Sequence, residues 1–227
     1  MKTIAVIPAA GKGIRGGLAV PKQYLKINSK ELIVYTLEVF QSNELIDDII
    51  ISVETKYFEL LNELKSKYNL SKISNVVEGG NDRQDSVYNA LKSIKDVSEN
   101  DLIAVHDAAR PLLPQKVLSD AIAIAKEKGN ALVCIKSKDT LIKGNQVVEN
   151  YLDRDEIFYV QTPQIFLYGV LMKAMKKAYE ENFIGTDESM LVRRIREKVN
   201  IVEGSALNFK ITTLEDIEIF EVLVRVH

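Results

Sequence analysis

Short runs rich in Ile and Val recur along this chain at residues 4–8, 49–53, 76–77, 102–105 and 131–135, and this rhythm limits its fold more than any other feature. Such runs, apolar at successive positions, read as strands buried on both faces. Between them the apolar residues fall at helical spacing: Ile33, Leu37 and Phe40; Val87, Ala90, Leu91 and Ile94; Val117, Leu118, Ala121, Ile122 and Ala125. Each set marks one apolar helix face. Strand alternating with amphipathic helix predicts βαβ units, and hence an α/β fold with a mostly parallel sheet covered by helices on both faces. Ligands in such folds bind at the carboxyl ends of the strands. The length suits one domain, residues 1–227, better than two.

Charge narrows the class of ligand. Lys and Arg number 30 against 32 Asp and Glu, a net charge of -2, so no global field exists to hold nucleic acid and any anion site must be local. With 46% apolar and 27% charged residues, disorder, collagen and coiled coil are excluded. Cys134 is the single cysteine, which rules out an internal disulfide framework and a multi-thiolate zinc site, and fits a reducing, cytoplasmic compartment. Residues 4–10 are too few for a signal peptide's core and cleavage region and read as a strand. No apolar run has the length to cross a membrane, so a soluble protein without a membrane partner is expected.

The rhythm breaks over residues 137–159, where Gly144-Asn145 lies between Thr140-Leu141-Ile142 and Val147-Val148. A two-residue Gly-Asn turn marks a hairpin. An isolated hairpin is marginal in water, so this arm is expected to rest on a second copy of the chain, giving a homodimer; the alternative is an arm folded back on its own sheet. Strand is expected again over 160–166 and helix over 171–179, with a further helix capped at Thr186-Asp187.

Two clusters carry chemistry. Directly after the first strand, Gly11-Lys12-Gly13-Ile14-Arg15-Gly16 matches the dinucleotide pattern G-x-G-x-x-G, but Pro21 interrupts any helix there and Glu31 opens the next helix instead of ending a strand. What remains is a loop of bare N–H groups with Lys12, Arg15 and Lys22, suited to a polyphosphate. Nor is it a P-loop, since the Lys-Ser/Thr pair is missing. Asp107 ends the strand at 102–105 on the same sheet edge, where a carboxylate beside phosphates needs a mediating cation, with Mg²⁺ expected. Arg110 could neutralise a phosphate or pair with Asp107. His106, without a partner in sequence, is given no role.

The strings P-A-A-G-K-G-I-R, P-K-Q-Y-L, G-G-N-D-R-Q-D-S-V, H-D-A-A-R-P, Q-T-P-Q-I-F, T-D-E-S and N-F-K-I-T together resemble the 2-C-methyl-D-erythritol 4-phosphate cytidylyltransferases along essentially the whole chain. The resemblance implies a Rossmann-like nucleotidyltransferase fold and a Mg²⁺-dependent homodimer that makes a cytidine diphosphate derivative from CTP and a polyol phosphate. It implies Arg15, Lys22 and Lys210 as catalytic cations and Asp107 on the metal. It places Ala9, Ala10, Gly11, Gly13, Gly80, Asn81, Ser86 and Arg110 around CTP. Arg154 resembles an arginine that enters the neighbouring subunit's site to hold the substrate phosphate, with Thr140, Thr162 and Thr186 in support. The attacking phosphate oxygen is already ionised, so cations and positioning, not a general base, are expected to supply the catalysis. Two positions depart from the family pattern: Gly16 stands where Met is common, and Asn81 where Asp is common. D-ribitol-5-phosphate cytidylyltransferases resemble the chain almost as well; the alanines of P-A-A-G and H-D-A-A-R-P favour the methylerythritol branch. A dehydrogenase would rest on the glycine match alone, and a non-catalytic binding module would rest on Gly16 and Asn81.

Overall fold

Because successive strand residues point to opposite faces, each apolar run contributes to two cores at once. In β1 (Thr3–Pro8), Ala5 and Ile7 join one cluster while Ile4 and Val6 join the other. The computed structural model describes residues 1–11 and 20–226. After β1 come the short strands β2 (Lys26–Ile27) and β3 (Lys30–Glu31), then β4 (Asp48–Val53), β5 (Ile73–Glu78), β6 (Leu102–Val105) and β7 (Asn130–Lys136). The arm strands β8 (Ile142–Gly144) and β9 (Val148–Tyr151) precede β10 (Phe158–Leu167) and β11 (Ile201–Glu203). The helices are α1 (Leu32–Ser42), α2 (Phe58–Lys67), α3 (Arg83–Lys92), α4 (Gln115–Lys128), α5 (Tyr168–Glu180), α6 (Glu188–Arg194) and α7 (Leu214–Val226).

Among the described residues a seven-stranded sheet runs β11-β7-β10-β6-β1-β4-β5. The pairs β1–β4, β1–β6, β4–β5 and β7–β11 are parallel; β10 is antiparallel to both of its neighbours, β6 and β7. This is the expected mostly parallel sheet. Helices α1, α2 and α4 bury Leu37, Phe40, Leu61, Leu64, Leu118 and Ile122 on one face. On the other, α3, α5 and α6 bury Val87, Leu91, Leu171, Met175 and Val192. The chain leaves β1 toward β4 and β5, then returns to lay β6 on β1's other side. That reversal opens a crevice at the carboxyl ends of β1 and β6, the usual place for a ligand in an open α/β sheet.

The arm differs in detail from expectation. Gly144 is paired with Val148, so the turn is the three residues 145–147 and not the two-residue Gly-Asn turn. The register shifts between Lys143 and Gly144, and a Cβ at Gly144 would lie 2.3 Å from the carbonyl oxygen of Val147, so only glycine fits there. The sheet resumes at Phe158, and Ser137 N–H bonds the Ile157 carbonyl at 3.0 Å to close the arm's base. Asp187, not Thr186, caps α6, accepting the Met190 N–H. None of the described helices is long and apolar enough to cross a membrane.

Candidate active site

The first wall of the crevice is the backbone that follows β1. Ala9 N–H continues the ladder to the Ser52 carbonyl at 2.7 Å, and the chain then leaves the sheet. Pro21 starts a 3-10 turn at Lys22–Tyr24, which carries Gln23 back to the Ala9–Gly11 backbone. The buried Gln23 amide donates to the carbonyls of Ala9 (2.7 Å) and Gly11 (2.9 Å), and the Tyr24 hydroxyl also donates to Ala9 (3.1 Å). Gln23 therefore holds Ala9 and Gly11 in place, while Lys22 lines the cavity beside them. Lys12, Gly13, Arg15 and Gly16, all singled out by sequence, lie outside the described residues.

The second wall is the turn from β5 into α3. Gly80 has no room for a side chain, since a Cβ would fall 2.0 Å from that of Asp85. Asp82 caps α3 by accepting the Asp85 N–H at 2.8 Å. The buried Ser86 hydroxyl accepts the Gly80 N–H at 3.0 Å and donates to the Asp82 carbonyl at 2.8 Å. Its proton is thus committed, and toward a ligand it offers an acceptor only. Asn81 is exposed at the rim.

The third wall brings Asp107 and Lys210 together across 103 positions of sequence. Asn208, fully buried, donates to the Thr162 carbonyl at 2.7 Å and to the Gln161 side chain at 3.1 Å. Ile211 N–H bonds the Ala109 carbonyl at 2.9 Å, with the Ile211 side chain buried against Phe220 of α7. Held at both ends, this segment sets Lys210 Nζ 2.8 Å from Asp107 Oδ2. Asp107 Oδ1 accepts from Arg83 Nε at 3.1 Å, and Arg110 Nε stands 3.6 Å from Oδ2. Burial alone would raise the Asp107 pKa, but Arg83, Lys210 and Arg110 outweigh it and hold the carboxyl well below the usual aspartate range. Arg110 also donates to the Asn208 carbonyl at 2.6 Å.

These walls enclose a cavity of about 670 Å³ lined by Ala9, Ala10, Gly11, Lys22, Gly80, Asn81, Ser86, Asp107 and Lys210 among others. Nine sequence-named residues therefore meet there. Arg154, Thr140 and Thr186 do not: all three are exposed and none lines the cavity, with Arg154 and Thr140 on the arm. Thr162 is buried behind Asp107. Its Oγ1 accepts the Asp107 N–H at 3.1 Å and sits 3.0 Å from His106 Nδ1, while His106 Nε2 lies 3.1 Å from the Arg110 carbonyl. A carbonyl can only accept, so Nε2 carries the proton and Thr162 donates to Nδ1. The threonine hydroxyl thus supports the Asp107 turn.

His106 is a core residue with a job in this turn. Burial pushes its pKa down to about 4, against opposing pulls from the Arg110 carbonyl and Asp107. Below the ordinary histidine pKa the unfolded chain takes up a proton that the folded chain refuses, so stability falls as pH drops from about 6.5 toward 4 and levels off below. The loss is about 3 kcal/mol. Urea titrations at pH 7 and pH 4.5 should show it in the wild type and a smaller loss in His106→Gln; equal losses would contradict this account.

Mg²⁺ can be tested against the donors present. Among the described residues no group of three His, Cys, Asp or Glu side chains could hold a metal ion. Mg²⁺ is commonly bound by one or two carboxylates with phosphate oxygens and waters completing its shell. Asp107, in a cavity of about 670 Å³ with Lys22 and Lys210, fits an ion that arrives with a nucleotide.

Sequence reasoning overlooked Gln23, Arg83 and Glu188. Each stood within or beside a quoted string, but their contacts depend on the fold.

The sheet, its crevice and these cations define an α/β protein of the nucleotidyltransferase kind. The model of the 2-C-methyl-D-erythritol 4-phosphate cytidylyltransferase family matches residues 3–226, and the chain belongs to that family. Relatives of that name from Bacillus cereus and Bacillus cytotoxicus are 40% and 39% identical, each alignment covering 97% of both chains. The crystal structure of the Francisella tularensis 2-C-methyl-D-erythritol 4-phosphate cytidylyltransferase superposes with a TM-score of 0.83 at 32% identity, covering 98% of this chain and 99% of that one.

Proposed function

We propose that this chain transfers the cytidylyl group of CTP to 2-C-methyl-D-erythritol 4-phosphate and releases pyrophosphate. The observation that carries the reading is the meeting of Lys22, Lys210 and Asp107 in one cavity with the Ala9–Gly11 and Gly80–Ser86 walls. A 4-phosphate oxygen attacks the α-phosphorus of CTP, and the bond from that phosphorus to the oxygen bridging to the β-phosphate breaks. Two anions must be brought together while charge moves to the leaving group, and Lys22 and Lys210, with Arg15, supply the opposing charge. Ala9, Ala10, Gly11, Gly13, Gly80, Asn81 and Ser86 enclose the nucleoside, where Ser86 offers its acceptor. Arg110 acts by bracing Asp107 and the Lys210 segment. No general base is required, and neutral His106, with both ring nitrogens engaged, is not one.

Asp107 would hold Mg²⁺ together with the triphosphate. When bound, that ion neutralises phosphate charge as the α-phosphorus is attacked.

Arg154 and Thr140, exposed on the arm, would meet a substrate phosphate in a neighbouring subunit's site, with Thr186 in support. The arm's exposed Ile142, Val147, Val148 and Tyr151, followed by Phe158, Tyr159 and Val160, give a second copy of the chain an apolar surface to cover. This surface supports a homodimer with exchanged arms. A reducing cytoplasm suits the lone Cys134, which is buried with its thiol pKa pushed up to about 11.

The test is pyrophosphate release in a mixture of CTP, Mg²⁺ and 2-C-methyl-D-erythritol 4-phosphate. Release that needs all three and stops with EDTA is expected. Release without the acceptor, or undiminished by EDTA, would contradict the reading.

A further inference from the structure

Asp107 exchanges partners in the proposed reaction, and two charges, the partly exposed Arg83 and the buried Glu188, hold its carboxylate as it does so. Arg83 is the first residue of α3 and Glu188 the first of α6, each directly following a capping aspartate, Asp82 and Asp187. These capped starts bring the two side chains together across 105 positions of sequence. Arg83 Nη1 and Nη2 grip Glu188 Oε1 and Oε2 at 2.5 and 3.0 Å, and the remaining Nε donates to Asp107 Oδ1 at 3.1 Å. All three faces of the guanidinium fork are used. Glu188 is 1% exposed, so this carboxylate has no water to fall back on.

Arg83 thus fixes the carboxylate through Oδ1, while Oδ2 is turned toward Lys210 at 2.8 Å and Arg110 Nε at 3.6 Å. We propose that Arg83 and Glu188 are a positioning pair that holds the Asp107 carboxylate in place for a divalent cation entering with the nucleotide, which takes the place of Lys210. The exchange frees Lys210 for phosphate. Glu188 has a second effect, because its charge balances Arg83. Without that charge, the full positive field of Arg83 bears on Asp107 and opposes a cation there. The inference rests on the Mg²⁺-dependent reading above and extends it to Arg83, which lines the cavity beside Asp107, and to Glu188, buried behind it.

The test compares CTP affinity with Mg²⁺ and with EDTA, by calorimetry and with no acceptor present, in the wild type, Glu188→Gln and Arg83→Lys. Glu188→Gln keeps shape and loses charge; Arg83→Lys keeps charge and loses the fork. In EDTA both variants should bind CTP close to the wild-type affinity. With Mg²⁺ each should bind about tenfold more weakly than wild type, in line with the cost of altering the residues that orient a metal ligand. A merely structural role would lower the melting temperature or weaken both affinities alike, and either pattern without the selective Mg²⁺ loss would overturn the proposal. Variants that keep the whole Mg²⁺ enhancement overturn the pair's role and leave the reaction standing. A wild-type chain whose CTP affinity ignores Mg²⁺ overturns both.

Discussion

Lys210→Ala is expected to lower the turnover of cytidylyl transfer by about 10²–10³-fold, about 3–4 kcal/mol in the transition state, the scale of losing one preorganised donor to developing charge. The effect should fall mainly on kcat. In the ligand-free site the Lys210 ammonium pairs with Asp107, so much of its charge is already balanced and its gain comes when charge moves onto the phosphates. The segment around it should stay in place, because Asn208 and Ile211 anchor it through contacts that do not involve the lysine side chain. Steady-state kinetics with a thermal melt would check both parts. Wild-type turnover would remove Lys210 from the chemistry, and a collapsed melt would make it a structural residue.

Asp107→Asn should damage stability and activity together. The substitution leaves Arg83, Arg110 and Lys210 facing a neutral amide, and breaking a buried pair from one side costs about 3–5 kcal/mol. A value near 3 kcal/mol is expected, since the Lys210 side chain is partly exposed and water screens its share. The pH dependence has a definite sign. Because the folded carboxyl titrates below the usual aspartate range, its stabilisation is fully present above the unfolded-state pKa and is lost as pH falls through the lower folded value. Urea unfolding at pH 7 should separate the two chains by that amount, and the gap should narrow in strong acid. Equal stability at pH 7 would mean that the cations are adequately solvated without Asp107.

Much of this architecture could be read from the chain because its strands announce themselves as Ile/Val runs. The run at 102–105 is β6 to the residue, and that at 49–53 misses β4 by one. The sequence does not carry direction: an apolar run is the same for a parallel or an antiparallel neighbour, so the reversal of β10 was invisible. Helix α2 escaped notice because only Leu61 and Leu64 of its ten residues are buried, and β11 because Val202 is its one inward side chain. In the site, residues near strand ends were legible, since β1 and β6 had to deliver Ala9 and Asp107 to one edge. The partnership of Arg83 with Glu188 was not, because two helix starts far apart in sequence meet only after the sheet has formed. Thr162 shows the same limit, its hydroxyl being spoken for by His106, a residue without a visible partner in the chain.

The most direct measurement is to offer 2-C-methyl-D-erythritol 4-phosphate and D-ribitol 5-phosphate side by side to the enzyme with CTP and Mg²⁺, and to identify the products by mass. The cytidine diphosphate derivative of methylerythritol should form with much the larger kcat/KM. Preference for ribitol phosphate, or no cytidylyl product from either acceptor while CTP is bound, would contradict it.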